Sequence, residues 1–301
     1  MKTYFICFIL MLGSVPVWAA KTCHLSLQNI RLENSGRNIN YDMFETGSFA
    51  LIQNHFIDIK NNSPDGVCDT VLLIKPRQNA FRGAQRSQQL EYQILAGRNS
   101  GAIYENGLAI VIRDLKPKEI RTVGYQLKFA SQQYVSHGQY RNLFQYSAVE
   151  YPLNRTNIYD ETNAEFQVQV NKTARVSLWG TNDRHQYQVD FGELETGETR
   201  QLTPQLLVQS TADYSIEFQS QNRGHLRHDS GDSQWDVDYG FFVNNRSVPL
   251  QTGRSLLSFR QPASAVGDRY SMMFRIGNVR NKPAGQYEDV ITITVTPSLV
   301  H

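Results

Sequence analysis

Short alternating or β-branched runs, each closed off by turn-forming residues, recur roughly every 10 to 15 positions of this 301-residue chain, and that cadence selects strands over helices. The runs of the first half are Asn38 to Tyr41, His55 to Ile59, Thr70 to Ile74, Leu90 to Leu95, Ala109 to Ile112, Gly124 to Phe129 and Phe144 to Val149. Clusters such as Asn61-Asn62-Ser63-Pro64-Asp65-Gly66 separate them, and helical periodicity is scarce. The fold class predicted is all-β, in the manner of a sandwich.

Tyr151 to Ala164 interrupts the pattern with Pro152, Asn154, Asn157, Asp160 and Asn163 and offers no sustained apolar face. This break places a domain boundary, with one sandwich over residues 20–155, a linker over 156–163 and a second sandwich over 164–301. Strands resume with Phe166 to Val170, whose apolar residues fall on one face and which is read as the opening of the second domain. Further strands are expected at Ala174 to Trp179, Tyr187 to Phe191, Gln205 to Val208, Tyr214 to Phe218, Tyr239 to Val243, Ser255 to Phe259, Tyr270 to Ile276 and Asp289 to Thr296. In the last, Ile291, Ile293 and Val295 form one row and Val290, Thr292, Thr294 and Thr296 the other. An internal echo also occurs: Gly138-Gln139-Tyr140 and Gly285-Gln286-Tyr287 each lead into the final strand of a half, which suggests a duplicated topology.

The first residues bear on the compartment. Lys2, an apolar stretch from Tyr4 to Val15 and the small-residue site Val17-Trp18-Ala19 make a secretory leader over residues 1–19. Its apolar core is far shorter than the roughly 20 residues of a spanning helix. Lys and Arg total 30, one of them in the leader, against 28 Asp and Glu, so charge gives no footprint for nucleic acid. Outside the leader stand only Cys23 and Cys68, and in an oxidising compartment a disulfide between them is expected, two buried free thiols being the alternative.

No nucleophile elbow, phosphate loop or His-Glu-x-x-His motif occurs, and the sequence reads as non-enzymatic and without a cofactor. His225, His228, Asp229, Asp232, Asp236 and Asp238 have the residue types of a metal site but sit among glycines in a hydrophilic hairpin, so they read as a solvated loop and no metal is assigned. The Asn-x-Ser/Thr matches at Asn154, Asn171 and Asn245 are too short to assign glycosylation.

Several segments resemble the secreted spore coat protein U domain, which is also the pilin domain of archaic, Csu-type chaperone–usher pili. In the first half these are Cys23, Ile39-Asn40-Tyr41-Asp42, Cys68, Leu90 to Leu95 and Gly138-Gln139-Tyr140. In the second they are Phe191-Gly192-Glu193-Leu194, Tyr214 to Phe218, Asn222-Arg223-Gly224 and, most specific, Pro283-Ala284-Gly285-Gln286-Tyr287-Glu288-Asp289 running into Val290 to Val295. The second half departs from the family in having no cysteine pair, with Ser210 or Thr211 near the expected position.

The resemblance implies two immunoglobulin-like sandwiches, the C-terminal one incomplete and completed by donor-strand addition. It implies a periplasmic chaperone, an outer-membrane usher and the donor strand of the next pilus subunit as partners, with no nucleic acid. Only Ala20-Lys21-Thr22 precede Cys23 after the leader, too few to span a groove, so the chain is expected to accept a strand and not to donate one. That places it at the extracellular pilus tip as a two-domain adhesin serving attachment and biofilm formation, toward an unknown surface or glycan receptor. A structural cap, adaptor or coat subunit and a free-standing secreted carbohydrate-binding protein are the alternatives. The candidate adhesive surface comprises Phe44, Phe49, Phe81, Tyr104 and Tyr134 with Arg77, Arg82 and Arg86, core packing being the other reading of each aromatic. The candidate acceptor groove or core comprises Phe218, Phe259, Phe274, Ile291, Ile293 and Val295, with Trp179 beside them.

Overall fold

The computed structural model describes residues 23–33, 39–84, 88–97 and 101–298. Within them the chain is built of strands, with one 3₁₀ turn at Ser233–Trp235 and no α-helix. The expected leader, Ala20 to Thr22 and Arg86 lie outside the described residues.

The first twelve strands in chain order are β1 (Leu25–Leu32), β2 (Asn40–Tyr41), β3 (Phe49–Asn61), β4 (Cys68–Pro76), β5 (Ala80–Arg82), β6 (Gln89–Glu91), β7 (Gln93–Ala96), β8 (Gly101–Tyr104), β9 (Gly107–Leu115), β10 (Ile120–Ala130), β11 (Gly138–Glu150) and β12 (Asn154–Val170). They form two facing layers, a four-stranded sheet ordered β1-β3-β10-β7 and a larger sheet ordered β2-β12-β11-β4-β9-β8 with β5 and β6 at its side. Alternation decides what lies between the layers: Ile57 and Ile59 of β3, Leu72 and Ile74 of β4, Val123 to Phe129 of β10 at every second residue, and Tyr140, Phe144, Tyr146 and Ala148 of β11 are all buried. Full burial of each large side chain contributes about 1.5–3 kcal/mol. The Cys23–Cys68 disulfide joins the residues ahead of β1 to the first residue of β4, with Cα atoms 5.8 Å apart.

Pairing corrects the expected boundary. β12 runs antiparallel to β11 along its whole length, from Gly138 opposite Val170 to Glu150 opposite Asn154, so residues 156–163 lie inside a strand and not in a linker. Phe166, Val168 and Val170 are buried in the first core and complete the first unit instead of opening the second. The polar stretch misleads because its outer half lies at the rim, where only one side chain in two is even half-buried and no apolar period is required.

The second unit follows with β13 (Ala174–Trp179), β14 (Thr199–Gln201), β15 (Gln205–Ser210), β16 (Tyr214–Ser220), β17 (His225–His228), β18 (Val237–Val243), β19 (Arg246–Val248), β20 (Arg254–Phe259), β21 (Asp268–Tyr270), β22 (Met272–Ile276), β23 (Tyr287–Glu288) and β24 (Ile291–Pro297). Its sheets are ordered β13-β15-β21, β20-β16-β24 and β14-β22-β18-β17-β23, with β19 beside β18. A second core gathers Leu206, Val208, Tyr214, Ile216, Phe218, Tyr239, Phe241, Met272 and Ile276. The strand expected at Tyr187 to Phe191 is a loop: Asp183 accepts from the backbones of His185 and Gln186, Asp190 accepts from Gly192, and Gly192 has φ of 66°. These local bonds take the place of a ladder.

The echo in sequence is an echo in structure. Tyr140 donates its hydroxyl to the carbonyl of Ser136 and Tyr287 donates to that of Pro283, each four residues back, as in a tyrosine corner. Counting onward from these tyrosines, Phe144, Tyr146 and Ala148 of β11 correspond to Ile291, Ile293 and Val295 of β24. Tyr146 faces Ile74 of β4 as Ile293 faces Phe218 of β16.

The units meet through few contacts. His137 donates its backbone N–H to the carbonyl of Thr211 (2.8 Å), Gln209 donates to the Tyr134 hydroxyl (3.1 Å), and the Arg175 guanidinium lies 5.2 Å from the centre of the Phe44 ring.

Candidate functional site

The duplication exposes a difference between its two halves. In the first unit β11 is hydrogen-bonded on both sides, to β4 and to β12. In the second unit β24 pairs with β16 on one side, and among the described residues no strand pairs its other side. β13 likewise pairs only with β15. β13 and β24 run beside one another on this flank, with Cα atoms within 8 Å, and no ladder bond joins them.

The side chains on this open flank are unfinished in the same sense. Ile291, Ile293 and Val295 of β24 and Val176 and Leu178 of β13 face the second core but are only half-buried, whereas their first-unit counterparts Phe144, Tyr146 and Ala148 are fully covered. Thr292, Thr294 and Thr296 point outward, and Val290 ahead of them is also exposed. The edge carries neither an ionisable side chain nor a bulge on β24, two of the devices that keep free edges from pairing. Asp289, just before β24, accepts from the Ser220 hydroxyl, the Asn222 N–H and the Tyr239 hydroxyl. Burial, with the Asp289 carboxylate behind it, holds the Tyr239 phenol well above its usual range, so it remains a donor. Chemically the flank is a row of backbone donors and acceptors set beside alternate apolar side chains, the arrangement that takes an added strand.

The expected groove residues divide. Ile291, Ile293 and Val295 line the free edge. Phe218 is fully buried beneath them. Phe259 lies on β20, across β16 from the edge, stacked on Tyr214 at 4.8 Å. Phe274 packs among Tyr239, Phe241 and Phe191 in another sheet. Val176 and Leu178 are edge residues that the sequence does not reveal as such; their alternation in Ala174 to Trp179 is visible there, but not that β13 faces β24.

The expected adhesive surface does not assemble. Phe81 is fully buried, with its ring edge-on to Tyr92 and Phe129. Phe44 lies under Arg175 and the Tyr134 hydroxyl bonds Gln209, so both are engaged by the second unit. Lys128 lies over Phe49 at 5.2 Å, and Arg155 lies over Tyr104 at 4.6 Å while pairing with Glu105. Arg77 and Arg82 are exposed but on separate segments. Strand direction gives the reason: β11 starts at the second unit and ends at Glu150, so Phe44, Phe49, Phe81, Arg82 and Tyr134 sit toward the joint. The far end is made by the turns at Asn61–Val67, Lys116–Glu119 and Tyr151–Asn154, where Val67 (51%), Ile120 (54%) and Leu153 (42%) are exposed.

Among the described residues no three His, Cys, Asp or Glu side chains gather in a way that would hold a metal. In the hydrophilic hairpin, His225 pairs with Asp238, and His228 bonds Ser230 and Asp229.

No family model and no curated protein sequence matches the chain. Solved structures do resemble it at low identity. One is the CsuC–CsuE chaperone–tip adhesion subunit pre-assembly complex from the archaic Csu pili of Acinetobacter baumannii, 17% identical, with 75% of this chain and 84% of that one covered and a TM-score of 0.43. The CupB6 tip adhesin of Pseudomonas aeruginosa is 10% identical over 92% of this chain and 95% of its own, with a TM-score of 0.39. CfaE, the adhesive subunit of CFA/I fimbria of enterotoxigenic Escherichia coli, is 12% identical over 92% and 82%, with a TM-score of 0.37.

Proposed function

We propose that the chain is a non-enzymatic, two-unit tip subunit of a chaperone–usher pilus, exported to the cell surface, whose second unit is completed by a β-strand from another polypeptide. The observation that carries this reading is the asymmetry of the duplicated fold: β11 is covered by β12, whereas among the described residues β24 has no partner on the same side and its Ile291-Ile293-Val295 row stays half-buried. The sequence resemblance to the spore coat protein U domain, strongest around Ala284 to Val295, supports the same assignment. A periplasmic chaperone occupies the edge first and the donor strand of the next subunit afterwards, with assembly through an outer-membrane usher.

Strands in a sheet lie about 4.8 Å apart, so two strands with a third between them stand roughly 10 Å apart. β13 and β24 come within 8 Å, and entry of a strand therefore requires them to part.

The first unit, residues 23–170, completes its own sheets and is free to serve as the receptor-facing part in attachment and biofilm formation. Its far end, around Val67, Ile120 and Leu153, is the surface we assign to the receptor in place of the aromatics near the joint. A cap or adaptor subunit lacks such a binding end. A free-standing carbohydrate-binding protein is the reading that the free edge disfavours.

The test is thermal unfolding of the exported chain, alone and co-expressed with the chaperone of its own organism. Trp179 and Trp235 both lie in the second unit and report on it alone, the third tryptophan being Trp18 of the leader. Poor yield or low-temperature unfolding of the free chain, rescued into a one-to-one complex that is lost on Ile293→Glu, supports the proposal. A monomer indifferent to the chaperone refutes it. Attachment of the assembled pilus that survives Val67→Asp with Leu153→Asp moves the assignment toward a cap.

A further inference from the structure

The second sandwich has another flank, opposite the free edge, where β20 closes one sheet and β21 closes the other. An open cleft of about 620 Å³ lies there, between Phe259 and Gln261 on one side and Val266, Gly267, Asp268 and Tyr270 on the other. The strand-addition site lies between β13 and β24, so this cleft is distinct from it.

Alternation along β21 decides what faces the cleft. Asp268 and Tyr270 stand opposite Val208 and Leu206, which are buried in the second core, so both turn inward toward the facing sheet. Arg269 between them turns to the outer face, where its guanidinium lies 3.9 Å from the centre of the Trp179 ring. The charged side chain that the cleft receives from this strand is therefore an acid.

That carboxylate is held in place without being neutralised. Asp268 accepts from the Tyr214 hydroxyl at 2.9 Å and from the Ser264 N–H at 3.0 Å, and among the described residues it makes no ion pair. The Tyr214 hydroxyl, its own proton directed at Asp268, accepts in turn from the Tyr270 hydroxyl. Burial, then the bonds to Tyr270 and Asp268, push the Tyr214 phenol far above its usual range, so this donor is not lost near neutrality. Each carboxylate oxygen thus has one neutral donor fixing it and lone-pair capacity left for another.

The remaining walls suit the same kind of guest. The half-buried Phe259 ring stacks on Tyr214 at 4.8 Å and leans on Tyr270 at 5.1 Å, and its exposed side lines the cleft. Gly267 keeps the opposite wall bare, with φ of 84° and a side chain excluded because a Cβ there would stand 2.7 Å from Leu207 Cδ1. Val266 beside it is 70% exposed. At the rim, Asn244 Oδ1 holds the N–H and hydroxyl of Ser271, while its Nδ2 and the Gln261 amide are unpartnered among the described residues. An aromatic ring beside a carboxylate with no ion pair attracts a cation twice over, through the ring quadrupole and through a charge-assisted hydrogen bond.

We propose that this cleft binds a protonated amine carried on a hydroxylated ring, the chemistry of an amino sugar whose nitrogen is not acetylated. The ammonium meets Asp268 and the Phe259 ring, hydroxyls meet Asn244 Nδ2 and the Gln261 amide, and the apolar side of the sugar lies against Val266. N-Acetylation removes the charge, so the acetylated sugar and the parent sugar without nitrogen are both rejected.

The test is isothermal titration at mildly acidic pH with D-glucosamine, N-acetyl-D-glucosamine and D-glucose. It uses the exported chain free or bound to its chaperone, whichever purifies, because the cleft lies away from the strand-addition edge. Saturable heat in the millimolar range is expected for D-glucosamine and for neither of the others. Asp268→Asn keeps the acceptor for Ser264 and abolishes the response. Val266→Lys, at an exposed rim position where folding is not at stake, weakens it several-fold while the unfolding midpoint stays unchanged. Absence of saturable heat with D-glucosamine overturns the proposal, as does an equal response to either neutral sugar or a response left whole by Val266→Lys or Asp268→Asn.

Discussion

Replacing Thr173 and Thr211 by cysteine should give the second unit the crosslink that the first already has. Counting back along β16 from Phe218, which corresponds to Ile74 of β4, the place of Cys68 falls at Ala212, next to Thr211. Thr173 stands just before β13 as Cys23 stands just before β1. The two threonines already touch: the Thr173 N–H donates to Thr211 Oγ1 at 2.9 Å, and the two hydroxyl oxygens are 3.4 Å apart, close enough for the Cβ spacing of a disulfide. The loop closed would span 38 residues, for which the chain-entropy relation gives about 3.9 kcal/mol. Against this stand the hydrogen bonds of the Thr211 hydroxyl to Asn171 and from Thr173, at about 1 kcal/mol each, leaving a net gain of about 2 kcal/mol. The assay is urea unfolding followed by tryptophan emission, which sees only the second unit, comparing Thr173→Cys/Thr211→Cys with each single variant under oxidising conditions. A midpoint rise of about 1 M is expected for the double variant alone. Free thiols in the purified double variant, or a crosslink without a rise in midpoint, would refute the equivalence of the two positions.

Three further outcomes follow from the same structure. His55 is buried between Tyr125 and Phe166, and burial lowers its pKa to about 3 from 6.5; the neutral ring is the folded form, so its contribution is complete above pH 6.5 and is lost as pH falls toward 3. That linkage removes about 2 kcal/mol between pH 7.5 and 5, above the range in which carboxylates titrate, and denaturant unfolding of the first unit should show the loss in the native chain but not in His55→Phe. Breaking the Cys23–Cys68 bond by a double Cys→Ala change opens a 45-residue loop and should cost the first unit about 4 kcal/mol, read by circular dichroism, with the tryptophan-detected transition unmoved. Truncating the joint with Arg175→Ala and Tyr134→Phe should leave both unfolding midpoints within about 0.5 kcal/mol but broaden the distance distribution between spin labels on the two units, because only inter-unit contacts are lost.

Much of the strand order is legible because burial imposes a period of two, and Ala174 to Trp179 even shows its strand limits. β1 escapes a sequence reading because Asn29, at φ of 53°, and the register shift between Gln28 and Arg31 break its alternation. β12 reads as part of the wrong unit for a different reason: its apolar residues gather at one end, so the pattern looks like the start of something new when it is the end of a long hairpin. Ile291, Ile293 and Val295 can be read as a row in need of cover, but the lack of cover is a property of pairing that no local pattern records. The aromatics expected to be adhesive fail because residue type does not tell which end of a sandwich a loop occupies.

The run from β12 into β13 gives the molecule a mechanical character. The strand that completes the first unit leads through Asn171, Lys172 and Thr173 directly into the strand that flanks the open edge. If the far end of the first unit is held and the second unit is pulled, tension enters β12 at Val170 along the axis of the strand, while β11 is anchored toward its other end at Glu150. That pull is taken along the β12 backbone and through the turn of Tyr151 to Leu153 that joins it to β11, so the ladder is not peeled pair by pair from its Gly138–Val170 end. A pull at Val170 across the strand would instead open the hairpin one pair at a time; a second unit loaded along β12 leaves the strand that completes the first unit in register.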